Sequence, residues 1–551
     1  MLPSRKCLHM TEKPAFFSAC ARSYGFIFLI VLVAIILPAA SSAQQTCPRS
    51  PVGSVVQDPP ALYSHGGKLV ADLTYQTELD EDGTARFCFK TSDGRQSPTL
   101  YLNPGDELVL RVKNLVPPDA PGLPQMKMAP DMDVSAASIC GATVMTPSSV
   151  NIHYHGTNVS PSCHSDEVIH TLINSGDSFE YRLKFPADEP PGLYWYHPHV
   201  HGISEAAVQG GATGLIVIGG IQNVQPLVAG LPQRLLVVRD KELPGEPPPP
   251  APGYNLSLNY VPVSFPAYTP AIINVHAHEQ QFWRLANTAA DSILDIALLY
   301  DGSPQKLEVV ALDGVPTGSQ DGTRLGKLVT VDHVRVPPAG RVEFIMTTPP
   351  RDARNAVLIT RRVNTGPDGD NDPARPLAIL KVGEEPAPVP LPTVPAFQSL
   401  TKRQRFEGLE QAKVSAFRKL YFSEDSDDHF FITVDGQKPK MFSPDDPPSI
   451  VTHQGAVEEW TIENRSKENH EFHIHQLHFL LERVNDILVP PAKRQFLDTV
   501  DVPFWSGKGP YPSVTVRLDF RGADIGDFVY HCHILEHEDG GMMAIIRVLN
   551  R

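Results

Sequence analysis

Short runs that alternate apolar and polar residues recur along the chain. Three of them share one layout: Leu110-Arg-Val-Lys-Asn114, Trp283-Arg-Leu-Ala-Asn287 and Trp460-Thr-Ile-Glu-Asn464. Period-two alternation closed by asparagine is the signature of a half-buried β-strand running into a turn. Each run is followed by another β-rich segment, Phe179-Glu-Tyr-Arg-Leu183, Val342-Glu-Phe-Ile-Met346 and Val514-Thr-Val-Arg-Leu518. Each copy then closes on an apolar strand: Gly214-Leu-Ile-Val-Ile218, Pro376-Leu-Ala-Ile-Leu380 and Ala544-Ile-Ile-Arg-Val548. The pattern predicts an all-β chain of three related sandwich domains, at residues 44–222, 223–388 and 397–551. The run Pro386–Pro395 predicts a stiff, extended linker centred on residues 389–396. No long helical period stands out.

Composition agrees with this picture. Hydrophobic residues make up 41% and charged residues 20% of the 551 positions, which excludes a disordered or collagen-like chain. The 54 prolines and 39 glycines suit many turns. A net charge of −15 argues against nucleic acid as a partner, because phosphate binding needs basic patches.

The first 43 residues differ from the rest. Arg5, Lys6, Lys13 and Arg22 precede the apolar run Phe26–Leu37, and Ser41-Ser-Ala43 follows as a small-residue cleavage site. This predicts a signal peptide at 1–43 and a periplasmic or secreted protein; the competing reading is an uncleaved N-terminal membrane anchor. Cys7 and Cys20 lie in that leader, leaving Cys47, Cys88, Cys140, Cys163 and Cys532. Among the three pairings open to four of these, nearness along the chain favours Cys47–Cys88 and Cys140–Cys163, and Cys532 is then left over.

The histidines cluster. His153-Tyr-His155-Gly156 and His197-Pro-His199 lie in the first repeat, and His470-Glu-Phe-His473-Ile-His475 and His531-Cys532-His533-Ile-Leu-Glu-His537 lie in the third. The corresponding strand of the second repeat, around Asp291–Ala297, carries none. Side chains alternate faces along a strand, so each His-x-His pair aims both imidazoles the same way. The pairs 153/155, 197/199, 473/475 and 531/533 can therefore converge as eight nitrogen donors, too many for one metal and suited to a cluster at the junction of repeats one and three. By the same alternation Cys532 faces the opposite side, and so does His470. With His537 and Met542 they make two histidines, a cysteine and a weak axial methionine, the ligand set of a blue-copper electron-transfer centre.

These four segments resemble the copper-binding motifs of the three-domain multicopper oxidases, the family of laccases, ascorbate oxidase and bacterial copper-efflux oxidases. The resemblance spans the whole chain after the leader. It implies three consecutive cupredoxin-like Greek-key β-sandwich domains and four copper ions. By position, His470, Cys532, His537 and Met542 would hold the type 1 copper. His153 and His473 would hold the type 2 copper, and His155, His197, His199, His475, His531 and His533 the type 3 pair. No ligand position is missing, which counts against the non-catalytic members of the fold.

The resemblance further implies that four one-electron oxidations of a small reductant are coupled to reduction of dioxygen to two waters. Glu538 and Asp166 resemble the family's acidic proton relays; a solvated acid is the competing reading of each. A thioether from Met542 implies a moderate type 1 potential, suited to electron-rich phenols and aromatic amines in a laccase-like reaction. A metallo-oxidase acting on cuprous or ferrous ions is the alternative. A mere electron carrier would leave the eight paired histidines unexplained. Dedicated cuprous oxidases tend to be Met-rich, whereas this chain has ten methionines, and the small group Met126, Met128 and Met132 reads as loop packing. The acidic run Glu424–Asp428 reads as a solvated loop that could also attract cations. His201 and His478 continue the histidine clusters, in a structural or a hydrogen-bonding role. Three domains in one chain can complete the sites as a monomer.

Overall fold

The computed structural model describes residues 45–127, 140–245, 248–318, 326–383, 406–425, 429–522 and 524–551. The leader, the linker at 389–396, Met128 and Met132 lie outside the described residues. In chain order, the strands form three pairs of sheets. The first pair joins a four-stranded sheet built on Lys68–Leu79 and Glu107–Asn114 to a five-stranded sheet that ends in Gly192–His197 and His153–His155. The third pairs a seven-stranded sheet around Val457–Asn464 with a five-stranded sheet holding Gly526–Cys532 and His470–Ile474. These are three cupredoxin-like β-sandwiches, each closed around its own apolar core.

The three asparagine-terminated runs occupy the same place in each sandwich. Glu107–Asn114, Gln280–Asn287 and Val457–Asn464 each have one parallel neighbour and one antiparallel neighbour. The antiparallel neighbours are the downstream segments expected from the sequence. Each asparagine does more than begin a turn. The side-chain oxygens of Asn114, Asn287 and Asn464 accept from the backbone N–H two residues on, at 2.9, 3.3 and 2.9 Å. The side-chain amides donate to two carbonyls each: Ser148 and Ile173, Ser292 and Val336, Glu468 and Val502. A buried amide satisfied at both ends ties the strand to two later segments, which explains why the same residue recurs at this point.

Among the described residues, α-helices run only four to six residues, and none is long and apolar enough to cross a membrane. Both expected disulfides are present, Cys47–Cys88 and Cys140–Cys163, and Cys532 is free and buried.

Candidate metal centres

Strand register brings the histidines together in pairs. His153–His155 runs antiparallel to Gly192–His197 with His153 opposite His197. His470–Ile474 runs antiparallel to Gly526–Cys532 with His473 opposite His531. The two sheet edges then face one another. The rings of His153 and His475 stack at 3.7 Å, and those of His155 and His473 at 4.0 Å. His531 Nε2 lies 3.2 Å from His475 Nε2 and 3.4 Å from His199 Nε2. All eight imidazoles are buried. Burial, the largest cause for each, keeps them neutral: His199 is lowered to about 3 and His473 to about 4.

The hydrogen bonds show which nitrogen of each ring is free. Nδ1 of His153 bonds Asp166, and Nδ1 of His197, His473 and His531 bond the carbonyls of Pro198, Asp498 and Cys532. His155 is reversed, with Nε2 placed 3.2 Å from the Asp498 carboxylate. What remains are unpartnered, buried nitrogens: Nε2 of His153, His197 and His473, Nδ1 of His155 and His475, and both of His533. Buried lone pairs without donors cost free energy unless something electropositive fills the space. Neutral imidazoles whose other N–H is tied to an oxygen are the usual condition of metal-ligating histidine. The residues fit a copper cluster.

Behind them, Cys532 faces the core of the third sandwich, as strand alternation requires. Its Sγ lies 3.7 Å from Nδ1 of both His470 and His537, and those two nitrogens are 3.0 Å apart. Such a buried triangle of two imidazoles and a thiol fits a His₂Cys copper centre. Met542 is fully buried beside it; its carbonyl accepts from Cys532 N–H and its own N–H donates to the His537 carbonyl.

Neither acid taken from the sequence is solvated. Glu538 is fully buried, with its carboxylate 3.2 Å from His531 Nδ1 and 3.7 Å from His199 Nδ1. Asp166 is buried against His153 and accepts from Tyr154 N–H and from Gln476 Nε2 at 2.6 Å. Burial pushes both carboxyls well above their usual range. The solvated reading fails because each acid lies at the junction of the first and third sandwiches, Glu538 against His199 and Asp166 against Gln476. His478 is buried and bonds the Asp313 carbonyl, whereas His201 packs edge-on against Phe442. Met126 packs on the buried Met145, Val200 and Ile203, in line with a packing role.

Several residues were not legible in the sequence. Glu468 Oε1 lies 3.1 Å from the outer nitrogen of His537, and Ser466 Oγ lies 2.6 Å from that of His470. Burial would raise the Glu468 carboxyl, but His537 holds it down at about 2. Glu424, the described start of the acidic run, is half-buried; burial and then Glu468 push it up to about 7. Asp498 and Arg341, both buried, join all three sandwiches. The acidic run marks Glu424 only as part of a solvated loop; the others follow no strand period with the histidines, so no spacing rule could have found them.

Three cupredoxin-like sandwiches carrying a buried His₂Cys triangle and an eight-histidine cluster define a copper oxidoreductase. Two family models, both described as multicopper oxidase, match residues 416–551 and 142–222. A laccase of Haloferax volcanii is 24% identical over 519 residues, covering 87% of this chain and 81% of its own. An iron transport multicopper oxidase of Gibberella zeae is 21% identical over 459 residues, covering 72% and 67%. In fold, the chain is similar to a multicopper oxidase from Campylobacter jejuni described as a metallo-oxidase, with a TM-score of 0.64 and 21% identity over 91% of this chain and 96% of that one. The matched segments 142–222 and 416–551 carry multicopper oxidase domains, and the relatives support reading the chain as a multicopper oxidase. It is a copper-dependent enzyme that passes electrons from a reducing substrate to dioxygen.

Proposed function

We propose that His470, Cys532, His537 and Met542 hold the type 1 copper. His153 and His473 hold the type 2 copper, and His155, His197, His199, His475, His531 and His533 the type 3 pair. When bound, these ions supply the one-electron chemistry that joins four substrate oxidations to reduction of dioxygen to two waters. The protein's part is placement and protons. Cys532 lies between His531 and His533, so one stretch of backbone joins the two centres covalently. The N–H of Glu471 donates to Cys532 Sγ at 3.3 Å and helps to hold the sulfur in place. Glu538, its carboxyl pushed well above the usual range by burial, is placed to hold a proton beside His531 and His199. Asp166 does the same beside His153.

The observation that carries the substrate reading is the Glu468 carboxylate on the outer nitrogen of His537. We read the chain as laccase-like, with Glu468 anchoring the hydroxyl that a phenol must deprotonate as it is oxidised. A second reading, ferrous ion as reductant, is favoured by Glu424 lying against Glu468, because a pair of hard oxygen ligands suits that cation better than cuprous ion. Turnover of the copper-loaded protein on a phenol, ferrous ion and cuprous ion, with and without Glu468→Gln, tests both. Laccase-like function requires phenol oxidation that Glu468→Gln weakens. Activity confined to ferrous ion, and lost in Glu424→Gln, would transfer the assignment to the metal reading. Two disulfides in residues 45–551 support an exported enzyme, and the three domains at 44–222, 223–388 and 397–551 complete it as a monomer.

A further inference from the structure

We propose that Arg341, from the sandwich that contributes none of the eight histidines, is a positioning residue for the copper cluster: it clamps Asp498 between His155 and His473 and so fixes one imidazole from each of the other two sandwiches. The inference rests on reading those histidines as copper ligands.

Arg341 begins the strand Arg341–Thr347 and is buried, like Asp498. Its guanidinium grips that carboxylate with two bonds, Nη1 to Oδ1 at 2.8 Å and Nη2 to Oδ2 at 2.6 Å. The planar fork matches the carboxylate and leaves it one orientation. Arg341 is itself held from both sides. Its Nε donates to the Leu193 carbonyl, on the strand that ends in His197, and its own N–H donates to Asp313. Asp313 in turn accepts from the backbone N–H of Asp498 at 3.3 Å. The second sandwich thus fixes Asp498 by side chain and by backbone.

Besides a bond from Thr499 Oγ1 at 3.1 Å, Asp498 offers acceptors to two of the eight histidines. Its carbonyl takes Nδ1–H of His473 at 2.7 Å, and Oδ1 lies 3.2 Å from Nε2 of His155. The second contact accounts for the reversal of His155, whose Nδ1 is left buried and without a partner. A separate observation couples the same pair to the His155 turn. Gly156 has φ +79°, and a Cβ there would lie 2.4 Å from both Arg341 Nη2 and Asp498 Oδ2. The chain leaving His155 therefore passes directly against the clamp. A buried ion pair is a poor way to gain stability alone, because desolvation offsets most of the attraction. Its value here is the orientation it imposes.

The test uses the full chain loaded with copper, comparing wild type, Arg341→Met, Arg341→Lys and Arg375→Met. Arg375 is another buried guanidinium of the second sandwich, paired with Asp372 at 3.0 Å, and serves as a stability control. Copper per chain, the blue type 1 absorption and the type 2 paramagnetic resonance signal are read together with unfolding midpoints. Arg341→Met is expected to keep the blue absorption while the cluster binds copper about 10–100-fold more weakly, with Arg341→Lys between it and wild type. Arg375→Met should unfold more easily with its copper content unchanged. If Arg341→Met fails to fold, Asp498→Asn gives the same reading through a changed type 2 signal. Four coppers and an unaltered type 2 signal in Arg341→Met or Asp498→Asn would overturn the inference. Equal loss of type 1 and cluster copper would also overturn it. Failure of wild type to bind four coppers would instead sink the ligand reading beneath it.

Discussion

The Glu538 carboxylate sits 3.2 Å from Nδ1 of His531, sealed from solvent. His531 carries two acceptors on that nitrogen, since the Cys532 carbonyl lies at 2.8 Å. Burial first, and the charge of Asp539 second, push the Glu538 carboxyl well above its usual range. A protonated carboxyl can deliver its proton toward the cluster; an amide of the same shape cannot. Glu538→Gln should therefore lower turnover about 10²-fold, within the range of a positioned acid, and leave the blue absorption intact. Steady-state oxygen uptake beside the visible spectrum checks this; unchanged uptake would remove Glu538 from proton delivery.

Cysteine assignments can be read by thiol counting. In chain lacking residues 1–43, Cys532 is the only free thiol, and it is fully buried. Without copper or reductant, the native protein should react with no thiol reagent and the denatured protein with one equivalent. Replacing Cys140 and Cys163 together by serine opens a link between residues 23 apart and should cost about 3 kcal/mol on the chain-entropy account. Denaturant midpoints of the copper-free protein measure it.

The three buried asparagines separate a repeated structural device from a local functional use of it. Asn114 and Asn287 bridge carbonyls with no part in either centre, whereas Asn464 holds the carbonyl of Glu468 and the N–H of Ser466. Ser466 and Glu468 are the partners of His470 and His537. Alanine at any of the three should destabilise the fold by roughly 1–3 kcal/mol per unsatisfied group. Only Asn464→Ala should also shift the type 1 absorption, which a spectrum of the three variants would reveal.

The strand pattern and the histidine pairs were legible because both follow from local periodicity. Alternation alone put Cys532 behind His531 and His533, and repetition marked the second sandwich as lacking histidines. The partners of those histidines follow no such period. Asp498 reaches His155 across 343 residues, and Gln476 reaches Asp166 across 310. Whether an acid such as Asp166 or Glu538 is solvated depends on which surface closes over it, and that is decided by packing between sandwiches. Arg341 was invisible for a related reason: it belongs to the copy that has no ligands, and its importance comes from a contact made in another domain.

The Glu424–Glu468 pair gives the two substrate readings opposite pH behaviour. Glu468 is held ionised by His537, so the proton near neutrality resides on Glu424, whose carboxyl is raised to about 7. Below that pH the pair carries one negative charge, and above it two. A ferrous ion bound between the carboxylates must displace the proton, so its KM should fall as pH rises through about 7 and then level off. A neutral phenol needs only Glu468, which stays ionised throughout, so its KM should be flat over the same interval. The fold responds in the opposite sense. A folded-state value above the usual 4.5 means that protonation stabilises the native protein, and Glu424's contribution is complete below about 4.5 and lost as pH rises through about 7. Glu424→Gln, neutral at every pH, should flatten the ferrous profile at its weak-binding limit and leave phenol oxidation unchanged. KM measured from pH 5 to 8 on both donors decides the matter: a ferrous profile with no break in wild type would exclude the carboxylate pair as a cation site.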